Sequence, residues 1–164
     1  MKYQNFIYRC AKCQHSFKAS GISGFLYGLF IMRSPETGEE VLLDAIEDPV
    51  YNEVSDILEI EFSTSEIDNF DSASVLQEIF GIACDPDSKE NLFKIGGIPK
   101  CPQCGSDEVA FWEAPEPPEM VEKQIPSVTH NKWNALDHNQ KVNLIREALL
   151  SLADRTKSIT VARQ

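Results

Sequence analysis

The stretch CPQCGSD, residues 101–107, decides how this 164-residue chain is read, because its two cysteines supply half of a metal site and need a second half. The matching half is CAKC, residues 10–13, and 87 residues separate the two pairs. A C-x-x-C turn suits zinc because both sulfurs can face one ion while backbone N–H groups of the turn hydrogen-bond them, and two such turns complete a tetrahedral shell. One pair alone can be redox or chance, whereas two pairs flanked by strand-like sequence are a strong signal. NFIYR (5–9) enters the first turn and HSFKAS (15–20) leaves it; SDEVAFWE (106–113) leaves the second as a strand. The fifth cysteine, Cys84, has no histidine or basic residue close in sequence and reads as a small buried apolar side chain.

Outward from the cysteines, the composition is that of a folded chain, with 42% hydrophobic and 25% charged residues. MKYQNFIYRC lacks the apolar core of a signal peptide, and the longest apolar run, GFLYGLFIM (24–32), falls short of the roughly 20 residues that cross a bilayer. No membrane association and a cytoplasmic location are the expectation, and in that compartment disulfides are poor readings of C-x-x-C pairs. The net charge of −11 is unevenly spread: residues 1–33 carry +5, 34–90 carry −16, 91–123 carry −3 and 124–164 carry +3. A segment as acidic as 34–90 repels phosphates, so it reads either as a solvated surface or as a docking face for a basic partner.

Between the two pairs, FLYGLFIMR (25–33) and EVLLDAI (40–46), joined by the turn signal SPETGE, predict a β-hairpin. Asp48 and Pro49 read as N-cap and first-turn proline of a helix from about 49 to 60, with Val50, Tyr51, Val54, Ile57 and Leu58 on its apolar face. After the polar break STSEIDNFDS, Val75, Leu76, Ile79, Phe80 and Ala83 predict a second helix starting near Ser72 and ending before Pro86. Residues 114–127, APEPPEMVEKQIPS, have the composition of an extended linker. Asp137 and Gln140 match a capping box ahead of a helix whose seam is Val142, Ile145, Leu149 and Leu152. That seam is under three heptads long and predicts docking on its own domain ahead of pairing with another helix.

YRCAKCQHSF (8–17) with PKCPQCGSDEV (99–109) resembles the two knuckles of zinc-ribbon, rubredoxin-like proteins, over about residues 6–19 and 98–112. The resemblance implies that Cys10, Cys13, Cys101 and Cys104 are the ligands and that Gly105 gives the second turn its tight backbone. Gln14 stands where a glycine often follows the first pair, and the insertion between the knuckles is unusually long. Zinc is expected ahead of iron, which the same four thiolates would hold, and a closed shell of four cysteines makes the metal structural. The expected fold is therefore α+β. A zinc ribbon (1–20 and 96–113) carries an acidic hairpin and two-helix insert (21–95), a Pro-rich linker (114–136) and a C-terminal helix (137–156).

No phosphate loop, Ser-His-Asp arrangement or nucleophile elbow is present in the sequence, so the expectation is a non-enzymatic protein. Glu53, Asp56 and Glu59 share the polar face of the first insert helix and read as solvated, His15 reads as a surface residue, and DPDSKE (85–90) is at most a weak calcium pattern. The leading functional expectation is a basic protein partner bound by the acidic insert, one concrete form being an intracellular inhibitor, or immunity protein, of a basic toxin. The alternative is a nucleic-acid-associated zinc ribbon, an accessory factor of transcription or translation. It is supported by Tyr3, Phe6, Tyr8 and Phe17 among the cations of the N-terminal segment.

Overall fold

The computed structural model describes residues 1–24, 26–62 and 71–161. The polar break expected at 63–72 lies mostly outside them. The chain divides into two compact units, Met1–Glu47 with Pro86–Val128, and Asp48–Asp85 with Thr129–Gln164. No helix among the described residues is long and apolar enough to cross a membrane.

The first unit is built of two antiparallel sheets. Strand β1 (Lys2–Cys10) pairs on one side with β2 (Ser16–Gly21) and on the other with β6 (Val109–Glu113) and β7 (Met120–Glu122). In the second sheet β3 (Leu29–Arg33) lies between β4 (Glu40–Asp44) and the two-residue β5 (Lys94–Ile95). The outer edge of β4 is covered: Leu42 donates its N–H to the Pro126 carbonyl at 2.8 Å and accepts from the Val128 N–H at 2.9 Å. Tyr3, Ile31, Met32, Leu43 and Phe93 are among the buried apolar residues of this unit.

Arg33, at the end of β3, is buried and ties three segments of this unit together. Its guanidinium donates to Glu40 Oε1 (2.9 Å), to the Gly97 carbonyl (2.8 Å) and to the Ser20 carbonyl of β2 (2.5 Å). Asp87 does the same for the hairpin turn. It accepts from the Ser34 hydroxyl (2.6 Å), the Thr37 hydroxyl (2.8 Å) and the backbone N–H groups of Lys89 and Asn91 (both 2.8 Å).

The second unit is helical. In α1 (Pro49–Phe62) the Asp48 carboxylate accepts from the N–H groups of Val50 and Tyr51 at 2.8 and 3.0 Å, which is the expected cap. Helix α2 (Ser72–Ile79) is capped by Asp71 and tightens into a 3-10 turn over Phe80–Ala83. After the short α3 (Asn131–Asn134), α4 runs from His138 to Val161 behind the expected capping box: Asp137 accepts from the Gln140 N–H and Gln140 from the Asp137 N–H, both at 2.9 Å. Ile145, Leu149 and Leu152 are buried together with Val54, Ile57, Leu58, Val75, Leu76 and Phe80, so the seam of α4 docks on α1 and α2 of its own unit.

The boundaries differ from those expected. The insert 21–95 is divided: its hairpin and residues 86–95 belong with the knuckles, and its helices belong with α4. The physical reason is pairing between residues distant in sequence, since β5 pairs with β3 and a hydrophobic helix seam needs other helices to cover it. The segment 114–136 is likewise no free linker, because Met120–Glu122 pairs with Lys2–Gln4 of β1 and Asn131–Asn134 forms α3.

Candidate metal centre

Cys10 ends β1 and Cys101 follows the Gly96–Pro99 segment; pairing of β1 with β6, which places Cys10 opposite Val109, brings the two distant turns together. Within each turn the backbone makes the same two bonds. Cys10 N–H donates to His15 O at 3.0 Å and Gln14 N–H to Cys10 O at 3.1 Å; in the second turn Cys101 N–H donates to Ser106 O and Gly105 N–H to Cys101 O, both at 2.8 Å. The fifth residue of each turn is left-handed, with φ of 61° at Gln14 and 72° at Gly105. Gly105 adopts this without strain, whereas Gln14 is helped by its side-chain amide, which donates to the Ala11 carbonyl at 2.9 Å.

The four sulfurs converge. Cys10 Sγ lies 3.6 Å from Cys104 Sγ and Cys13 Sγ lies 3.5 Å from Cys101 Sγ, and all four lie within 4.8 Å of one another. A tetrahedral Zn–S distance of about 2.3 Å requires sulfur separations of about 3.8 Å, so the cluster is the size of a shell of four thiolates. All five cysteines are free thiols, and none of these separations is that of a disulfide. Cys10 and Cys101 are buried, Cys13 is half-buried and Cys104 exposed, so each turn contributes one inner and one outer sulfur.

Backbone donors already favour negative charge here. The N–H groups of Cys13 and Lys12 lower the Cys10 pKa to about 7. The His15 N–H acts in the same direction on Cys13, but burial and the three neighbouring sulfurs push its pKa up to about 12. Four thiols packed this closely cannot all ionise unaided, and a dication in their midst reverses that balance. The donor set and its spacing fit a thiophilic metal ion.

Other residues singled out from sequence fall elsewhere. His15 contributes backbone groups and its side chain is outside the sulfur cluster. Glu53 accepts from the Lys141 ammonium (2.7 and 3.0 Å) and the Trp133 indole N–H (2.8 Å), while Asp56 and Glu59 lie on the solvent side of α1; the three do not converge on a pocket. In DPDSKE, Asp85 accepts from the N–H groups of Asn131 and Lys132 at the start of α3 and Asp87 holds the hairpin turn, so N–H and O–H donors occupy both carboxylates. Cys84 is buried, burial pushes its thiol well above the ordinary range, and its Sγ contacts the Phe80 carbonyl. Tyr3 is buried and leaves the set of aromatic side chains available for stacking.

Sequence reasoning missed His130, whose Nδ1 lies 2.6 Å from the Ala83 carbonyl and Nε2 2.9 Å from Asp48 Oδ2. It also missed Arg33 and Trp133. Their partners lie from 7 to 80 residues away, and no local pattern marks them.

No family model matches the chain, no curated protein is similar to it in sequence, and no solved structure matches its fold. The class is thus defined by the site itself, a zinc-ribbon-like arrangement of four cysteines on two turns drawn from distant parts of the chain.

Proposed function

We propose that the chain is a non-enzymatic binding protein built on a structural zinc held by Cys10, Cys13, Cys101 and Cys104, and that its helical unit receives a basic protein partner. The observation that carries the partner reading is charge. Residues 48–85 contain ten acids and no base, and 129–164 contain six bases and three acids, which leaves the helical unit at −7. Caps such as Asp71 and Asp85 accept hydrogen bonds without losing their charge, and Asp56 and Glu59 lie on the solvent side of α1. A field of this sign steers a cationic surface and repels phosphate backbones. Four thiolates leave no open position on the metal, which supports a scaffold role rather than catalysis. An intracellular inhibitor of a basic toxin is the concrete form of this reading.

The test has two arms. Native mass spectrometry should find one zinc per chain; a colourless protein without stoichiometric zinc overturns the metal assignment. Asp56→Lys with Glu59→Lys should weaken capture of a basic partner about tenfold and reduce its salt dependence, and unchanged capture overturns the docking face.

Binding of nucleic acid is the second reading, and one observation favours it. Phe6 and Trp112 pack edge to face and Tyr8 stacks with Phe17, each at 5.7 Å, on neighbouring strands of one sheet, which is the making of a stacking platform. Against it, Lys18 is paired with Glu119 at 2.5 Å. Salt-sensitive binding to labelled single strands at low ionic strength would displace the first reading.

A further inference from the structure

Strand β6 pairs with β1 on one side only, and no partner lies along its other edge among the described residues. Such edges are usually blunted by lysine, proline or covering segments, because a row of unpaired N–H and C=O groups invites another strand. Val109–Glu113 contains neither lysine nor proline. The register shifts at Ala110, between Arg9 and Cys10 of β1, so a bulge interrupts the start of the strand. Phe111–Glu113 stay in regular register opposite Ile7–Arg9 and leave that stretch of the edge open. Its side chains are unusually apolar for their exposure: Phe111 is 52% and Trp112 60% exposed. Beside Trp112 a cleft of about 360 Å³ opens between the sheet face, at Phe6, Tyr8 and Val109, and the segment Gly96–Pro99.

We infer that this edge is a docking strand, on which an extended, cationic segment of a partner protein pairs with Val109–Glu113 and places an apolar side chain in the cleft beside Trp112. The pairing supplies backbone hydrogen bonds and the cleft supplies selectivity. Charge chooses the occupant. Asp107 and Glu108 precede the strand, Glu113 and Glu116 close it, and residues 101–119 contain no base. A second copy would bring these carboxylates against their own kind on chains of net charge −11, and a phosphate backbone would meet the same repulsion. A strand with lysine or arginine at its ends meets four opposite charges. The inference rests on the reading of the partner as basic, and adds a second contact surface, distinct from the helical unit.

The experiment uses the zinc-loaded full chain, labelled with nitrogen-15, and the synthetic peptide acetyl-Lys-Lys-Val-Thr-Leu-Thr-Val-Lys-Lys-amide. Amide shifts and at least about tenfold slower hydrogen exchange centred on residues 109–113 are expected. Trp112→Ala, an exposed substitution, should weaken the response about tenfold, and the same peptide with glutamate for lysine should give none. A response confined to α1 and α4 would overturn the edge while leaving the basic-partner reading in place. Equal responses to the two peptides would overturn both. Perturbation of 109–113 that grows with protein concentration without peptide would assign the edge to a second copy instead.

Discussion

At the scale of single residues, much of the acidity that dominates the sequence serves the fold. Asp87 gathers two hydroxyls and two backbone N–H groups, and Asp85 caps α3. Burial alone would raise both carboxyls. For Asp87 the Ser34, Asn91 and Thr37 donors outweigh it, and for Asp85 those of Lys132, Thr129 and Asn131, so both are held well below the usual carboxylate range. A folded pKa below the unfolded one means that the unfolded state binds more protons, so this stabilisation is complete above about pH 4 and is lost as pH falls through the folded values. Acid titration of stability should therefore be steep below about pH 4. Asp87→Asn should lower the melting temperature at neutral pH and flatten that acid limb, and an unaltered limb would remove Asp87 from the explanation. Arg33 is the cationic counterpart, with all three guanidinium nitrogens committed to acceptors on different segments.

At the scale of elements, α4 separates two contributions that a helix receives. Its capping box is exposed and local, and Asp137→Ala should cost about 1 kcal/mol. Its seam is buried, and Ile145→Ala, at a fully buried position, should cost about 2–5 kcal/mol. Urea denaturation followed by far-ultraviolet circular dichroism measures both; equal costs would mean that α4 is held by local signals rather than by α1 and α2. What could be read from sequence follows the same division. Asp48, Asp137 with Gln140, and the Val54–Leu58 and Ile145–Leu152 faces are local patterns, and each is found where expected. The cysteine pairs were legible for the same reason, because each turn carries its own spacing. The pairing of Met120–Glu122 with β1 was not, since proline and glutamate around it carry the composition of a linker while the decisive contact lies over 110 residues back. The division of 21–95 was hidden likewise, because β5 is two residues long and has no period to detect.

For the molecule as a whole, all four sulfurs belong to the unit Met1–Glu47 with Pro86–Val128. A zinc bound by these four thiolates would contribute on the order of 10–16 kcal/mol of folding free energy, which only that unit would lose directly on its removal. The two tryptophans report separately: Trp112 is exposed in this unit, and Trp133 is buried in the helical one. A strong chelator, or Cys101→Ser, should melt the sheet unit at a lower temperature. The helical circular dichroism and the blue-shifted emission of Trp133, isolated in a Trp112→Phe background, should persist. Simultaneous loss of both would show that the units unfold as one.

The span between the two half-sites also has a meaning in time. A ribosome adding about 5–20 residues per second reaches Cys104 roughly 5–20 s after it has passed Cys13. During that interval the first pair is a bare dithiol, open to oxidants and to partial metallation, and β1 lacks the strand that will align it. A complete shell of four sulfurs therefore exists only in chains translated past the second turn, and an ion held by all four would be captured late in synthesis.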